Sequence, residues 1–107
     1  MRIRGRRFDT GEVVSLDMRA WRIHSLEPEE RDENVPWIAP GFVDLQVNGF
    51  GGEEFNDPEL AVEGVIRIGQ AMDAFGVSSY CPTVTTHSYE ILSHAMRTLA
   101  AACDQSP

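Results

Sequence analysis

Long apolar runs are missing from this chain of 107 residues, and with them the simplest membrane reading. No segment approaches the roughly 18 consecutive apolar residues of a spanning helix. The arginines near the N-terminus are followed by no apolar stretch, so a signal peptide is not expected. Cysteine is scarce: Cys81 and Cys103 alone cannot make a disulfide framework, and Cys81, within an apolar stretch, reads as a small buried hydrophobe. Positive charge is also in short supply. Nine basic residues against seventeen acidic ones leave a net charge of −8, which argues against a nucleic-acid partner, because phosphate binding needs basic clusters. Arg2, Arg4, Arg6, Arg7, Arg19 and Arg22 do crowd the first part of the chain, and they read as solvated strand faces in preference to a binding patch. A cytoplasmic protein without membrane or nucleic-acid partners is the expectation.

With 42% hydrophobic residues, the chain can build one small domain with a modest core. Its most informative stretch is Ala39-Pro40-Gly41-Phe42-Val43-Asp44-Leu45-Gln46-Val47-Asn48-Gly49. At a period of two, Val43, Leu45 and Val47 point one way, and Asp44, Gln46 and Asn48 the other. A surface strand would more usually carry Lys, Thr, Glu or Ser on its polar face. A carboxylate and two carboxamides in a row, then a glycine-rich loop, fit a barrel strand whose inward side chains end at a site. In a (β/α)8 barrel such groups gather at the C-terminal face of the strands.

Before this stretch, residues 2–8 read as a strand, Asp9-Thr10-Gly11 as a turn, and residues 12–16 as a second strand. Residues 19–26 alternate as a third strand with Trp21, Ile23 and Leu26 on its apolar face; residues 27–34 are charged, contain Pro28 and read as a loop. After Asn48 the chain turns through Gly49, Gly51 and Gly52. A helix is then predicted with Asp57 as N-cap, Pro58 at its first position, an apolar stripe of Ala61, Val65, Ile68, Met72 and Phe75, and Gly76 closing it. Residues 77–84 predict a strand, with Pro82 placed near its end or at a bulge. Ser88 can cap a second helix that buries Ile91, Leu92, Ala95, Met96 and Leu99. The order strand–helix–strand–helix predicts parallel pairing of the two strands.

Pro40-Gly41-Phe42-Val43-Asp44 resembles the opening of the first barrel strand in the amidohydrolase superfamily, which commonly continues into His-x-His. The run Gln46-Val47-Asn48-Gly49-Phe50-Gly51-Gly52, followed by Phe55-Asn56-Asp57, resembles N-acetylglucosamine-6-phosphate deacetylases more narrowly, because many of these carry Gln-x-Asn in place of His-x-His. Cys81-Pro82-Thr83-Val84-Thr85-Thr86 is similar to a Pro-Thr-x-x-Thr at the end of that family's second strand. The resemblance implies an α/β fold: residues 38–107 would form the first two βα units of a (β/α)8 TIM barrel, and residues 1–37 the short strands of a small β-sandwich. A barrel needs about 250 residues, so these would be the N-terminal portion of a longer enzyme. Such an enzyme hydrolyses the N-acetyl amide of N-acetylglucosamine 6-phosphate to glucosamine 6-phosphate and acetate, in amino-sugar catabolism. The resemblance implies one divalent, zinc-type metal ion held by a Glu and two His on later strands, a late catalytic Asp, and a homo-oligomer of the complete enzyme. None of those ligands is expected here, so the chain alone should hold no metal and hydrolyse nothing.

Gln46 and Asn48 are the leading candidates for lining the site. Carboxamides are neutral and poor zinc ligands, so their reading is hydrogen bonding to water or ligand, against mutual satisfaction inside a barrel. Asp44, deeper on the same face, reads as a buried structural carboxylate. Thr83, with Thr85 and Thr86, ends the second strand on the face of Asn48 and could orient a ligand or cap the strand. The Gly49-Phe50-Gly51-Gly52 loop lacks a phosphate-binding signature and reads as a tight strand exit. His24, His87 and His94 have no partner at metal-ligand spacing and read as ordinary surface or half-buried residues. Two alternatives stay open: another amidohydrolase, of dihydroorotase or deaminase type, and a short non-catalytic α/β binding protein.

Overall fold

The computed structural model describes residues 1–20 and 22–105, so the place of Trp21 on the third strand lies outside the described residues. The chain divides into two compact units, Met1–Pro40 and Gly41–Pro107.

In the first unit, β1 (Arg2–Arg7), β2 (Val13–Arg19), β3 (Arg22–Pro28) and β4 (Trp37–Ile38) form one mixed sheet in the order β3-β2-β1-β4. β1 and β2 are antiparallel around the predicted turn, where Gly11 has φ +73° and its N–H donates to the Arg7 carbonyl. β2 runs three residues further than expected and β3 starts three later, because the chain reverses at Ala20, which takes φ +47°. Glu27 and Pro28, expected in a loop, therefore lie in β3; proline is tolerated at the end of this edge strand. Ile23 and Leu26 are exposed in place of forming an apolar face, while the central strand β2 buries Val13, Val14, Ser15 and Leu16. β4 lies parallel to β1, and Gly5 is where they touch: a Cβ there would meet Ile38 Cγ1 at 2.5 Å and the Pro36 carbonyl at 2.7 Å.

The crowded arginines are largely engaged within this unit. Arg2 faces Glu27 and Glu29, Arg4 bonds Asp32, Arg7 bonds Asp9, Arg19 bonds Asp17, and Arg6 donates to the Asp32 carbonyl while lying over the Trp37 ring. Solvent-exposed pairs of this kind contribute little to stability, because water and salt screen them. Their effect here is to neutralise the basic stretch.

The second unit is α/β. β5 (Phe42–Val47) leads through a small hairpin, β6 (Gly49–Phe50) and β7 (Glu53–Glu54), to α1 (Val62–Asp73); β8 (Val77–Pro82) and α2 (Tyr89–Gln105) follow. β5 and β8 pair in parallel, as the element order predicts, and Pro82 sits at the strand end. Val47, Phe55, Leu60, Val65, Ile68, Met72, Leu99 and Ala102 make the core, with Phe55 fully buried and stacked on Tyr80 at 6.2 Å.

Several expectations are corrected here. α1 begins at Val62 with Ala61 as N-cap, not at Asp57. Asp57 instead organises a separate turn, accepting the Glu59 N–H on its side chain and the Leu60 N–H on its carbonyl; this drives Leu60 into the core before the helix starts. Ala61 and Phe75 leave the buried stripe, which reduces to Val65, Ile68 and Met72. The helix also ends earlier than predicted, at Asp73 with Ala74 as C-cap; Gly76, at φ +79°, closes the turn that follows, and Phe75 just before it is turned outward. Ser88 caps α2 as expected, but Met96 is exposed and Ala102 takes its place in the core. Of the apolar face of β5 only Val47 is buried. Val43 and Leu45 are 62% and 76% exposed, because β5 has one strand neighbour and α1 packs against β6 and β8. Cys81, expected to be buried, is exposed: it alternates to the side of β8 opposite Tyr80.

Candidate functional site

The end of β5, with Asn48 just past it, meets the end of β8 and the segment after it through three ties. The Thr83 N–H donates to the Val47 carbonyl at 2.7 Å, carrying the pairing one residue past β8. The Asn48 carboxamide donates to the Thr83 carbonyl at 3.3 Å. Further out, the Asn56 carboxamide brackets Thr85. Its Oδ1 accepts the Thr85 N–H at 2.8 Å and the Thr85 hydroxyl at 3.1 Å, and its Nδ2 donates to the Thr85 carbonyl at 3.1 Å.

The glycine loop is the tight exit expected of it. Gly51 and Gly52, at φ +66° and +91°, form the two-residue turn joining β6 to β7, where residues with side chains are disfavoured. At Gly49 an added Cβ would stand 2.1 Å from the Glu53 carbonyl oxygen, so only glycine fits. The Phe55 N–H donates to the Asn48 carbonyl at 3.0 Å and closes the hairpin on the end of β5. On its outer side the hairpin is held to α1 by Glu53, whose carboxylate takes two bonds from Arg67 at 2.7 and 3.1 Å and pushes that guanidinium's pKa up.

A shallow depression of about 410 Å³ lies among Asn48, Phe50, Glu53, Glu54, Asn56 and Thr85. A second, of about 320 Å³, follows the polar face of β5 past Asp44, Gln46 and Asn48 to Phe50 and Phe75. Asn48 belongs to both. A third space of about 450 Å³, between α1, β8 and α2, contains neither Gln46, Asn48 nor Thr83, and its lining of Val65, Ile66, Leu99 and Ala102 suits packing better than chemistry.

Gln46 and Asn48 do not satisfy one another, since Asn48 turns to Thr83. Asp44 is exposed, not buried, and its Oδ1 accepts the backbone N–H of Gln46 at 3.0 Å, stiffening the strand locally. Thr83 is half-buried with its hydroxyl donating to the Cys81 carbonyl, so it meets Asn48 through its backbone. His87 accepts the Ser88 N–H on Nδ1, and His94, half-buried on α2, bonds the Leu60 carbonyl through Nε2 at 2.9 Å. Sequence reasoning missed the part played by Asn56, which had entered only as one letter of a motif. Its partner lies 29 residues away, beyond any local pattern.

Among the described residues no three His, Cys, Asp or Glu side chains lie together as a metal ion would require. The described residues therefore do not fit the divalent ion that the resemblance implies. No helix among the described residues is long and apolar enough to cross a membrane.

The ends of this parallel strand pair thus carry a neutral polar cluster, capped by a glycine hairpin. The chain is 38% identical over 82 residues to the N-acetylglucosamine-6-phosphate deacetylases of Bos taurus and of Homo sapiens, a match that takes in 76% of this chain and 20% of each relative. It is 40% identical over 68 residues to the N-acetylgalactosamine-6-phosphate deacetylase of a Shewanella strain, covering 63% of this chain and 17% of that protein. No protein-family profile matches. The resemblance to N-acetylglucosamine-6-phosphate deacetylases read from the motifs thus holds across about three quarters of the chain, and the chain spans about a fifth of the length of these curated relatives.

Proposed function

We propose that these residues are the N-terminal part of a deacetylase that hydrolyses the N-acetyl amide of an amino-sugar 6-phosphate, N-acetylglucosamine 6-phosphate first, in cytoplasmic amino-sugar catabolism. The observation that carries this reading is the tie between Asn48 and Thr83, which joins the two motifs of the resemblance at the ends of adjacent parallel strands. In the reaction water adds to the amide carbonyl, the carbon–nitrogen bond breaks, the amine takes a proton, and acetate leaves. Within it, Gln46, Asn48 and the Thr83 backbone form a neutral wall that hydrogen-bonds water or substrate, with Asp44 stiffening the strand that presents Gln46.

The implied divalent ion, with its Glu and His ligands and the proton-carrying Asp, would belong to later segments of a (β/α)8 barrel. The 107 residues alone are therefore expected to be inactive, and the complete enzyme to be a homo-oligomer.

The test is to read the coding DNA downstream of Pro107 and to assay the extended product. An open frame leading to a Glu-bearing strand, two spaced histidines and a late Asp, with release of acetate from N-acetylglucosamine 6-phosphate, supports the reading. A stop codon there, or a frame with none of these residues, removes it. A second reading, a short α/β protein that completes itself by association, draws on the exposed Phe42, Val43 and Leu45 of β5. Sedimentation of the 107-residue chain separates the two, since that reading requires a defined, well-folded assembly.

A further inference from the structure

The carboxamide of Asn56 does to Thr85 what a neighbouring strand would do: it accepts the backbone N–H and donates to the carbonyl of the same residue. A third bond, from the Thr85 hydroxyl to the same Asn56 oxygen, leaves one rotamer of that threonine favoured. Among the described residues no strand pairs with the segment leading from β8 to His87, because β5 has already turned into its hairpin. Asn56 is itself fixed by its neighbour Phe55, which is fully buried and stacked on Tyr80, and whose N–H is bonded to Asn48. An anchored carboxamide thus stands in for the missing strand, on the wall of the depression shared by Asn48 and Thr85.

We infer that Asn56 is a positioning residue for the proposed deacetylation: by clamping the backbone of Thr85 it sets the distance between the two strand ends that flank the substrate. The inference rests on the function proposed above and adds a residue to it. Losing the clamp should loosen one wall of the site while leaving the reacting groups in place, so substrate binding weakens more than turnover.

Two measurements test this. Amide hydrogen exchange on the 107-residue chain reads the Thr85 N–H directly. Asn56→Ala should speed it about tenfold or more, and Asn56→Asp, which keeps the acceptor but loses the donor, by less. Unchanged Thr85 exchange in Asn56→Ala, with the remaining amides protected as before, overturns the clamp; if that variant fails to fold, unchanged exchange in the similarly sized Asn56→Leu, which removes both donor and acceptor, does the same. The second measurement is steady-state deacetylation of N-acetylglucosamine 6-phosphate by the product extended through the downstream frame. Asn56→Ala should raise KM about tenfold, equivalent to about 1.4 kcal/mol of binding, with kcat within about twofold and an unchanged melting temperature. Asn56→Asp should recover part of the loss. Faster Thr85 exchange with KM untouched overturns the positioning role and leaves a structural tie. An unsubstituted extended protein that turns nothing over overturns the proposed function, and the positioning role with it, while the exchange result still decides whether Asn56 holds the loop.

Discussion

Asn48 and Thr83 join the ends of two parallel strands through one hydrogen bond, from a side-chain amide to a backbone carbonyl 35 residues further along the chain. Because Asn48 is exposed and the bond is 3.3 Å long, its share of stability is small. Asn48→Ala should lower the unfolding free energy of the chain by no more than about 1 kcal/mol, read as a shift of the urea midpoint at constant slope. Under the proposed function, the same change in the product extended through the downstream frame should reduce kcat/KM for N-acetylglucosamine 6-phosphate well beyond what that loss of stability explains. Equal, minor effects on both would mean that Asn48 is only a strand tie.

The start of α1 leaves stability unused. Ala61 has the extended backbone of an N-cap, φ −111° and ψ 162°, yet no side-chain oxygen to accept a first-turn N–H. Ala61→Ser should stabilise the second unit by about 1 kcal/mol, the usual difference between a capping side chain and alanine. Thermal and urea unfolding read it, and no gain would mean that the turn from Asp57 to Leu60 already satisfies those donors.

That misplaced cap shows where local pattern stops being informative. Asp57-Pro58-Glu59 has the composition of a helix start, and the period of Val65, Ile68 and Met72 was legible to the residue. What decided the start was the burial of Leu60, a tertiary demand that no cap motif reports. The polar face of β5 and its parallel partner were legible because strand alternation and element order are local or topological properties. The burial of Val43, Leu45 and Asp44 was not, because it depends on neighbours that β5 lacks here. Asn56 was invisible for the complementary reason: its bonds exist only once β5 and β8 lie side by side.

In the first unit, acid should act through a few carboxylates. The backbone N–H of Asn34, and after it Arg4, hold the Asp32 carboxyl below the usual carboxylate range, and Arg7 does the same for Asp9. A carboxyl whose folded pKa is depressed stabilises the fold above its unfolded value, about 3.9, and that contribution disappears as pH falls through the folded value. Stability should therefore drop as pH is lowered from about 5 toward 2. Asp32→Asn, which keeps an acceptor for Asn34 but has no charge to lose, should be less stable than the parent at neutral pH and fall less steeply in acid. Parallel pH–stability curves for the two proteins would count against Asp32 as a source of the acid response.

Phe55 is where the core and the candidate site share one side chain. It is fully buried, it stacks on Tyr80, and its backbone N–H closes the hairpin on Asn48. Phe→Ala changes in protein cores cost about 3–5 kcal/mol, a large part of what a domain of this size has to lose. Phe55→Ala should therefore unfold the second unit or leave it molten, with loss of near-ultraviolet dichroism from Tyr80. Phe55→Leu, which keeps most of the volume but not the stacking, should cost less and stay folded. In that variant the Thr85 amide should exchange faster than amides in the middle of α1 change, because Phe55 fixes the backbone from which Asn56 reaches across. A uniform rise in exchange across the unit would instead show Phe55 acting through overall stability alone, with no particular hold on the ends of β5 and β8.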